Sequence, residues 1–326
     1  ELVKVAQVVD ASTSETNNLV AGMVNYEHGA MQKAIENFDE VIKSDPENVL
    51  AYYYRALANY NLSRFNEAIK DVDEVIKLQP EEPGLYVMRA SFKIGKNDFQ
   101  SALMDYDRAI KISPHNTTIY FSRADLKASL QDLKGAIADM DKVIEIDPTS
   151  SKAYIYRADF KVSNNDIKGA EKDYTKATEV DTNNALAYAY RGILRLTWYK
   201  DTGRARIDFE KSNDVQPNHI AYTYLGLISL NKKEYIEAKE NLDKAIQINS
   251  DYETARSLRG AARYATGDFE GALEDDNKLI ELAPNNALYY TYRGDVKYEL
   301  GDYEGQQADY EKAESLNPNV WDLRST

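Results

Sequence analysis

The sequence predicts an all-α solenoid of about nine tandem helix-turn-helix units, and three observations carry that prediction: a 34-residue spacing of proline, two columns of small residues, and apolar residues at helical spacing between them. Pro46, Pro80, Pro114 and Pro148 lie 34 residues apart, Thr182 takes the next slot, and the series resumes at Pro217, Ser250, Pro284 and Pro318. A fixed period of roughly 20 to 50 residues marks stacked repeats, each too small to bury its own apolar face. The register slips once, by a step of 35 from Thr182 to Pro217 and one of 33 from there to Ser250, so an inserted residue is balanced by a deleted one. All prolines sit at these junctions or, for Pro83, just inside the following helix, where a fixed φ and a missing N–H do no harm.

Between junctions the chain reads as two short amphipathic helices. In the repeat that starts near residue 49, Phe65, Ala68, Ile69, Val72, Val75 and Ile76 recur at helical spacing, and Ser63 and Arg64 form the turn. Gly267-Asp268 and Gly301-Asp302 occupy the same place in other repeats. When the junction is counted as the thirty-second position, the eighth is Gly22, Ala56, Ala90, Ala124, Ala158, Gly192, Gly226, Gly260 or Gly294. The twentieth is Ala throughout, from Ala34 to Ala272, until Gln306. Small residues facing one another let paired helices approach closely, while tyrosines at the fourth position, such as Tyr52, Tyr86 and Tyr290, supply bulk.

An aromatic at the fourth position, small residues at the eighth and twentieth, an apolar or aromatic residue at the twenty-fourth and Pro at the thirty-second together resemble the tetratricopeptide repeat (TPR). The resemblance implies a right-handed superhelical α-solenoid whose first helices line a concave groove and whose second helices form the back. The expected organisation is an N-terminal extension over 1–14, as a short helix or tail, then one solenoid over 15–318, then a tail over 319–326 that makes an incomplete cap. The repeats fall at about 15–48, 49–82, 83–116, 117–150, 151–184, 185–218, 219–252, 253–286 and 287–318.

One departure from the family pattern is informative. The seventh position, usually apolar, is Arg55, Arg89, Arg123, Arg157, Arg191, Arg259 or Arg293, and in the same seven repeats the twenty-third is Asp71, Asp105, Asp139, Asp173, Asp208, Asp275 or Asp309. Where Arg is replaced, by Ala21 and Leu225, the Asp becomes Asn37 and Asn241. Columns that change together predict contact, here an Arg–Asp pair bridging the two helices of a hairpin. An anion-binding stripe of arginines is the functional alternative, but a carboxylate that tracks each Arg favours a scaffold role.

Catalysis and cofactors find little support. His28, His115 and His219 stand without a second His or Cys at ligand spacing, and the chain has no Cys, so neither a metal site nor a cofactor is expected. Phosphate-binding glycine loops, GxSxG and HExxH are absent, and the 54 acidic residues read as a solvated face more readily than as a carboxylate pair at work. A net charge of −14 argues against nucleic acid as partner, which needs clustered cations. With 326 residues and 43% apolar content the chain can bury a large core, and no apolar run is long enough for a membrane span, so a soluble chain is expected. It begins with Glu1, either because its natural start was left off or because an export signal was removed; export is placed ahead of a cytoplasmic origin, and the missing cysteines fit both.

The expected function is therefore a non-catalytic protein-interaction scaffold. The family geometry assigns the fifth, ninth, twelfth and thirteenth positions of each first helix to the groove, and the stronger candidates there are Tyr53, Tyr60, Phe121, Asp125, Asp159, Tyr264, Asp295 and Tyr298. Lys at the fifth and Asn at the ninth position, with which related domains clamp acidic chaperone tails, occur in no repeat. A tyrosine-rich groove with scattered Asp suits a protein or peptide with apolar anchors and a basic group. Aliphatic residues at the twelfth position can simply pack against the next repeat, and for any single groove residue a structural role stands ahead of binding. Self-assembly into a homo-oligomer through the ends or the groove is the second reading, and a carbohydrate-binding groove the third. The insertion that brings Trp198 and Tyr199 together reads as a tolerated loop change ahead of a kink or binding spot.

Overall fold

A computed structural model describes residues 14–323, so the expected N-terminal extension lies almost wholly outside the described residues. The chain folds as two compact units that divide after Pro148. In the first, four hairpins follow one another: α1 (Ser14–Glu27) with α2 (Met31–Ser44), α3 (Val49–Asn61) with α4 (Phe65–Leu78), α5 (Pro83–Gly95) with α6 (Phe99–Ile112), and α7 (Thr117–Ser129) with α8 (Leu133–Ile146). The second holds five: α9 (Ser151–Ser163) with α10 (Ile167–Val180), α11 (Ala185–Thr197) with α12 (Thr202–Val215), α13 (His219–Asn231) with α14 (Tyr235–Ile248), α15 (Glu253–Ala265) with α16 (Phe269–Leu282), and α17 (Ala287–Glu299) with α18 (Tyr303–Leu316). A one-turn helix, α19 (Val320–Leu323), ends the described chain. No strand occurs among the described residues.

Within each unit every first helix packs on its hairpin mate, and each second helix packs on the first helix of the next hairpin in chain order, which is an α-solenoid. Local chemistry sets the boundaries. Asn48, Asn116, Ser150, Asn184, Asn218 and Asn286 cap the first helices by accepting a hydrogen bond from a backbone N–H of the first turn. Asp98, Asp132, Asp166, Asp201, Asp268 and Asp302 do the same for second helices. Each hairpin turn contains one residue at positive φ, between 53° at Lys200 and 79° at Gly301. That residue closes the first helix: Arg64 N–H donates to the Asn59 carbonyl and Ser63 N–H to that of Tyr60.

The small eighth position and the bulky twenty-fourth explain how close the helices lie. A Cβ on Gly22 would stand 2.5 Å from the Phe38 ring, one on Gly192 2.8 Å from Phe209, one on Gly226 2.6 Å from Leu242, and one on Gly294 2.5 Å from Tyr310. Phe38, Met140, Phe209 and Leu242 are fully buried beneath these positions. The fourth-position tyrosines fasten the junctions, since the hydroxyls of Tyr86, Tyr120 and Tyr290 donate to the carbonyls of Pro80, Pro114 and Pro284, each at 3.0 Å.

Three local findings bear on the sequence reading. The inserted residue lengthens the α11–α12 turn to Trp198–Asp201, where other hairpins use three residues, and the deletion shortens the α12–α13 junction to Gln216–Asn218. Several fifth positions that the family pattern assigns to the groove, among them Ala189, Thr223 and Thr291, are buried, because adjacent first helices such as α11 and α13 lie against one another. At the other end, α19 buries Val320 against Tyr290 and Ala313, and its Trp321 meets Tyr310 edge-on at 4.9 Å.

Candidate functional site

The arginine column is tied down at every copy. Arg55 reaches Asp71 at 2.5 Å, Arg89 Asp105 at 2.6 Å, Arg157 Asp173 at 2.6 Å, Arg191 Asp208 at 2.7 Å, Arg259 Asp275 at 2.5 Å and Arg293 Asp309 at 2.6 Å. Arg123 pairs in the same way with Asp139, its Nε at 3.0 Å. Most of these contacts are two-pronged, Nε and Nη2 each donating to one carboxylate oxygen, and the aspartates are buried. In the first hairpin, where Arg is absent, Asn25 donates to Asn37 at 2.9 Å.

Two further columns join the pair and escaped the sequence reading. The remaining arm of Arg55, Arg89 and Arg259 reaches back one hairpin to Asp39, Asp73 and Asp243, at 2.6, 2.6 and 2.7 Å, so each Arg couples neighbouring hairpins. A cation at the eleventh position meets the same buried Asp from the other side: Lys93, Lys127, Lys161, Arg195, Arg263 and Lys297. Burial pushes a carboxyl pKa up and its cations pull it down. Asp309, with both Arg293 and Lys297, ends below its ordinary value; Asp71, which has Asn59 in place of the second cation, ends above it.

The candidate groove residues fall on first helices of both units. Tyr53 and Tyr60 lie on α3, half-buried; Tyr53 meets Tyr54 edge-on at 5.6 Å, and Tyr60 stacks on Phe92 at 4.7 Å. Burial raises the Tyr53 hydroxyl above its ordinary pKa. Phe121 is half-buried and Asp125 exposed, both on α7. Asp159 on α9 keeps an open edge and accepts a hydrogen bond from the Tyr174 hydroxyl; the surrounding protein raises its carboxyl pKa. Asp295 on α17 accepts from Tyr310 at 2.5 Å. Tyr264 on α15 is 38% exposed and donates to Glu299 at 3.1 Å, and Tyr298 on α17 is 52% exposed beside Tyr303.

Of these residues, Tyr264 and Asp295 are brought together. They line a cavity of about 340 Å³ between α15 and α17, with Tyr292 and Ser257 in its walls and Asp276 of α16 inside it. Asp276 was not among the expected site residues. It occupies the twenty-fourth position, which is apolar or aromatic in the other eight repeats, and it faces Gly260, whose missing Cβ would stand 3.5 Å from its Oδ1. A larger depression of about 700 Å³ in the first unit is lined by Arg55, Asp71 and Asp39, whose charges already satisfy one another. No cluster of acidic and histidine side chains suited to a metal ion, and no helix long and apolar enough to cross a membrane, occurs among the described residues.

Comparison with known proteins agrees with this architecture. Residues 19–83, 83–116, 117–150, 220–252 and 287–320 match models of the tetratricopeptide repeat, and the chain belongs to that family. Repeats of this kind are protein–protein interaction scaffolds, and the fold is typically non-catalytic. A stretch of 54 residues is 44% identical to RNA polymerase II-associated protein 3 of Xenopus tropicalis, which amounts to 17% of this chain and 8% of that protein's length. Among solved structures, yeast Tom70 superposes with a TM-score of 0.60 at 18% identity, over 98% of this chain and 69% of that one. The C-terminal part of a TPR repeat-containing protein from Cytophaga hutchinsonii gives 0.57 at 16% identity, over 74% and 98%. At these identities the structures share a fold with the chain and no more.

Proposed function

We propose that this protein is a non-catalytic scaffold that holds an extended or helical segment of a partner protein against its first helices. The observation that carries the reading is the exposure of large aromatic rings there: Tyr298 and Tyr264 stay open to solvent on α17 and α15, and Tyr264 lines a cavity. Exposed aromatics beside a pocket are where binding energy concentrates, because they bury much area for little lost side-chain freedom. The Arg column belongs to the scaffold under this reading, since every guanidinium is committed to a buried Asp and has little left for a ligand anion. Aspartates between the tyrosines and a net charge of −14 favour a segment that carries basic groups.

The test is a crosslinking pull-down from the native host with two baits, the wild-type chain and a variant in which Tyr53, Phe121 and Tyr298 are all replaced by Ala. Partners retrieved by the first and lost by the second support the reading; identical sets from both baits overturn it.

A further inference from the structure

The repeat at 253–286 breaks the packing rule that the other hairpins obey. Where Phe209, Leu242 or Tyr310 fills the space beneath a glycine of the first helix, this repeat presents Asp276 beneath Gly260, and the cavity between α15 and α17 opens over it. Asp276 is only 4% exposed, and among the described residues no group donates a hydrogen bond to its carboxyl. Its slight exposure is to the cavity that it lines, and a carboxyl so poorly solvated and without a protein donor costs free energy unless something entering the cavity supplies one.

We infer that this cavity receives the cationic end of a lysine or arginine side chain from the bound partner segment, with Asp276 as counter-ion and Tyr264 and Tyr292 as walls. The inference sharpens the peptide-binding reading and rests on it. An ammonium or guanidinium brings the donors that Asp276 lacks, and tyrosine faces attract a cation. The volume is at the small end for binding pockets and fits one side chain better than a cofactor. Asp295 at the same cavity adds a second carboxylate, its Oδ1 held by the Tyr310 hydroxyl.

The surrounding charges make the site proton-linked. From α15, Arg256, Arg259 and Arg263 all bond Asp275, the chain neighbour of Asp276. Burial, and after it the charge of Asp275, pushes the Asp276 carboxyl up to about 8; Arg293 of α17 opposes the rise, while Asp295 of α17 and Asp309 of α18 add to it. With no cation beside it the Asp276 carboxyl therefore holds a proton at neutral pH. An entering cation favours the ionised form, so binding expels that proton and tightens as pH rises toward 8. For lysine it weakens again near the ammonium's own pKa of about 10.4.

Isothermal titration of the whole chain with N-acetyl-lysine N-methylamide, its arginine counterpart and the neutral norleucine counterpart tests this. The expected result is saturable one-site binding of both cations, none of norleucine, and release of protons at pH 7, seen as a dependence of the heat on the buffer's ionisation enthalpy. Asp276→Asn weakens the cations by at least about tenfold. Asp276→Leu, which restores the residue type of the other repeats, abolishes binding while raising the thermal midpoint, so that its loss of binding is not loss of fold. Failure of both cations to bind, equal binding of norleucine, or an undiminished Asp276→Asn variant overturns the inference. If the cations fail here while the triple Ala bait still loses its partners, only the pocket is wrong; if they bind while that bait keeps its partners, the groove reading is what falls.

Discussion

At the level of single residues, the Arg–Asp columns show what a charge is worth when burial surrounds it. Arg55→Met leaves Asp71 with Asn59 alone, whereas Arg123→Met leaves Asp139 still bonded to Lys127 at 2.9 Å. Stranding a buried carboxylate costs about 3 kcal/mol. Urea unfolding is accordingly expected to show a loss of about that size for Arg55→Met, a clearly smaller loss for Arg123→Met, and recovery of most stability only in the triple variant Arg55→Met/Asn59→Leu/Asp71→Leu, which also removes the buried amide that Asp71 accepts from. The pairing was legible because two columns change together, Arg55 with Asp71 on one side and Ala21 with Asn37 on the other. The second cations, such as Lys93, and the bridging aspartates, such as Asp39, recur less regularly, with Asn59, Ser229 or Thr175 breaking their columns, and nothing in a helix pattern says that one Asp takes two cations. Asp276 was passed over for a different reason. Its column reads as core filler, and the exception acquires meaning only once Gly260 is seen opposite it with a cavity above.

At the level of elements, hairpin geometry followed the punctuation closely. Both indels fall in connections, where a residue gained or lost moves no buried side chain, and the two helices on either side keep their lengths. The turns are less economical than glycine would make them: Ser63, Asn97, Gln131, Asn165, Lys200 and Lys233 all adopt positive φ with a side chain attached. A Cβ in that region is strained by about 1 kcal/mol, and glycine removes the strain while adding freedom to the unfolded chain. Lys233→Gly, whose native φ is 63°, is expected to stabilise the protein by about 0.5 kcal/mol in urea unfolding, and Gly267→Ala, at 77°, to destabilise it by about 1 kcal/mol. The buried fifth positions mark where element-level reasoning fell short. Whether Thr223 or Thr291 faces a ligand depends on how closely consecutive first helices approach, which is a matter of packing that the two-helix pattern does not contain.

At the level of the whole molecule, both units are written in the same columns, which is why family and fold could be read from period and small residues alone. The binding face is harder to read, because a solenoid offers two long faces and exposes apolar side chains on each. Tyr264 and Tyr298 stand open on first helices, while Met104, Ile207 and Ile236 stand even more open on second helices α6, α12 and α14. Contact through the first helices is the claim on which the proposed function depends. The most direct measurement places the photo-crosslinker p-benzoyl-phenylalanine singly at Tyr53, Phe121 and Tyr298, and in parallel at Met104, Ile207 and Ile236, in the presence of a partner retrieved by pull-down, with adducts mapped by mass spectrometry. Adducts from the three first-helix positions and none from the second-helix positions are predicted; adducts confined to Met104, Ile207 and Ile236 would contradict the account.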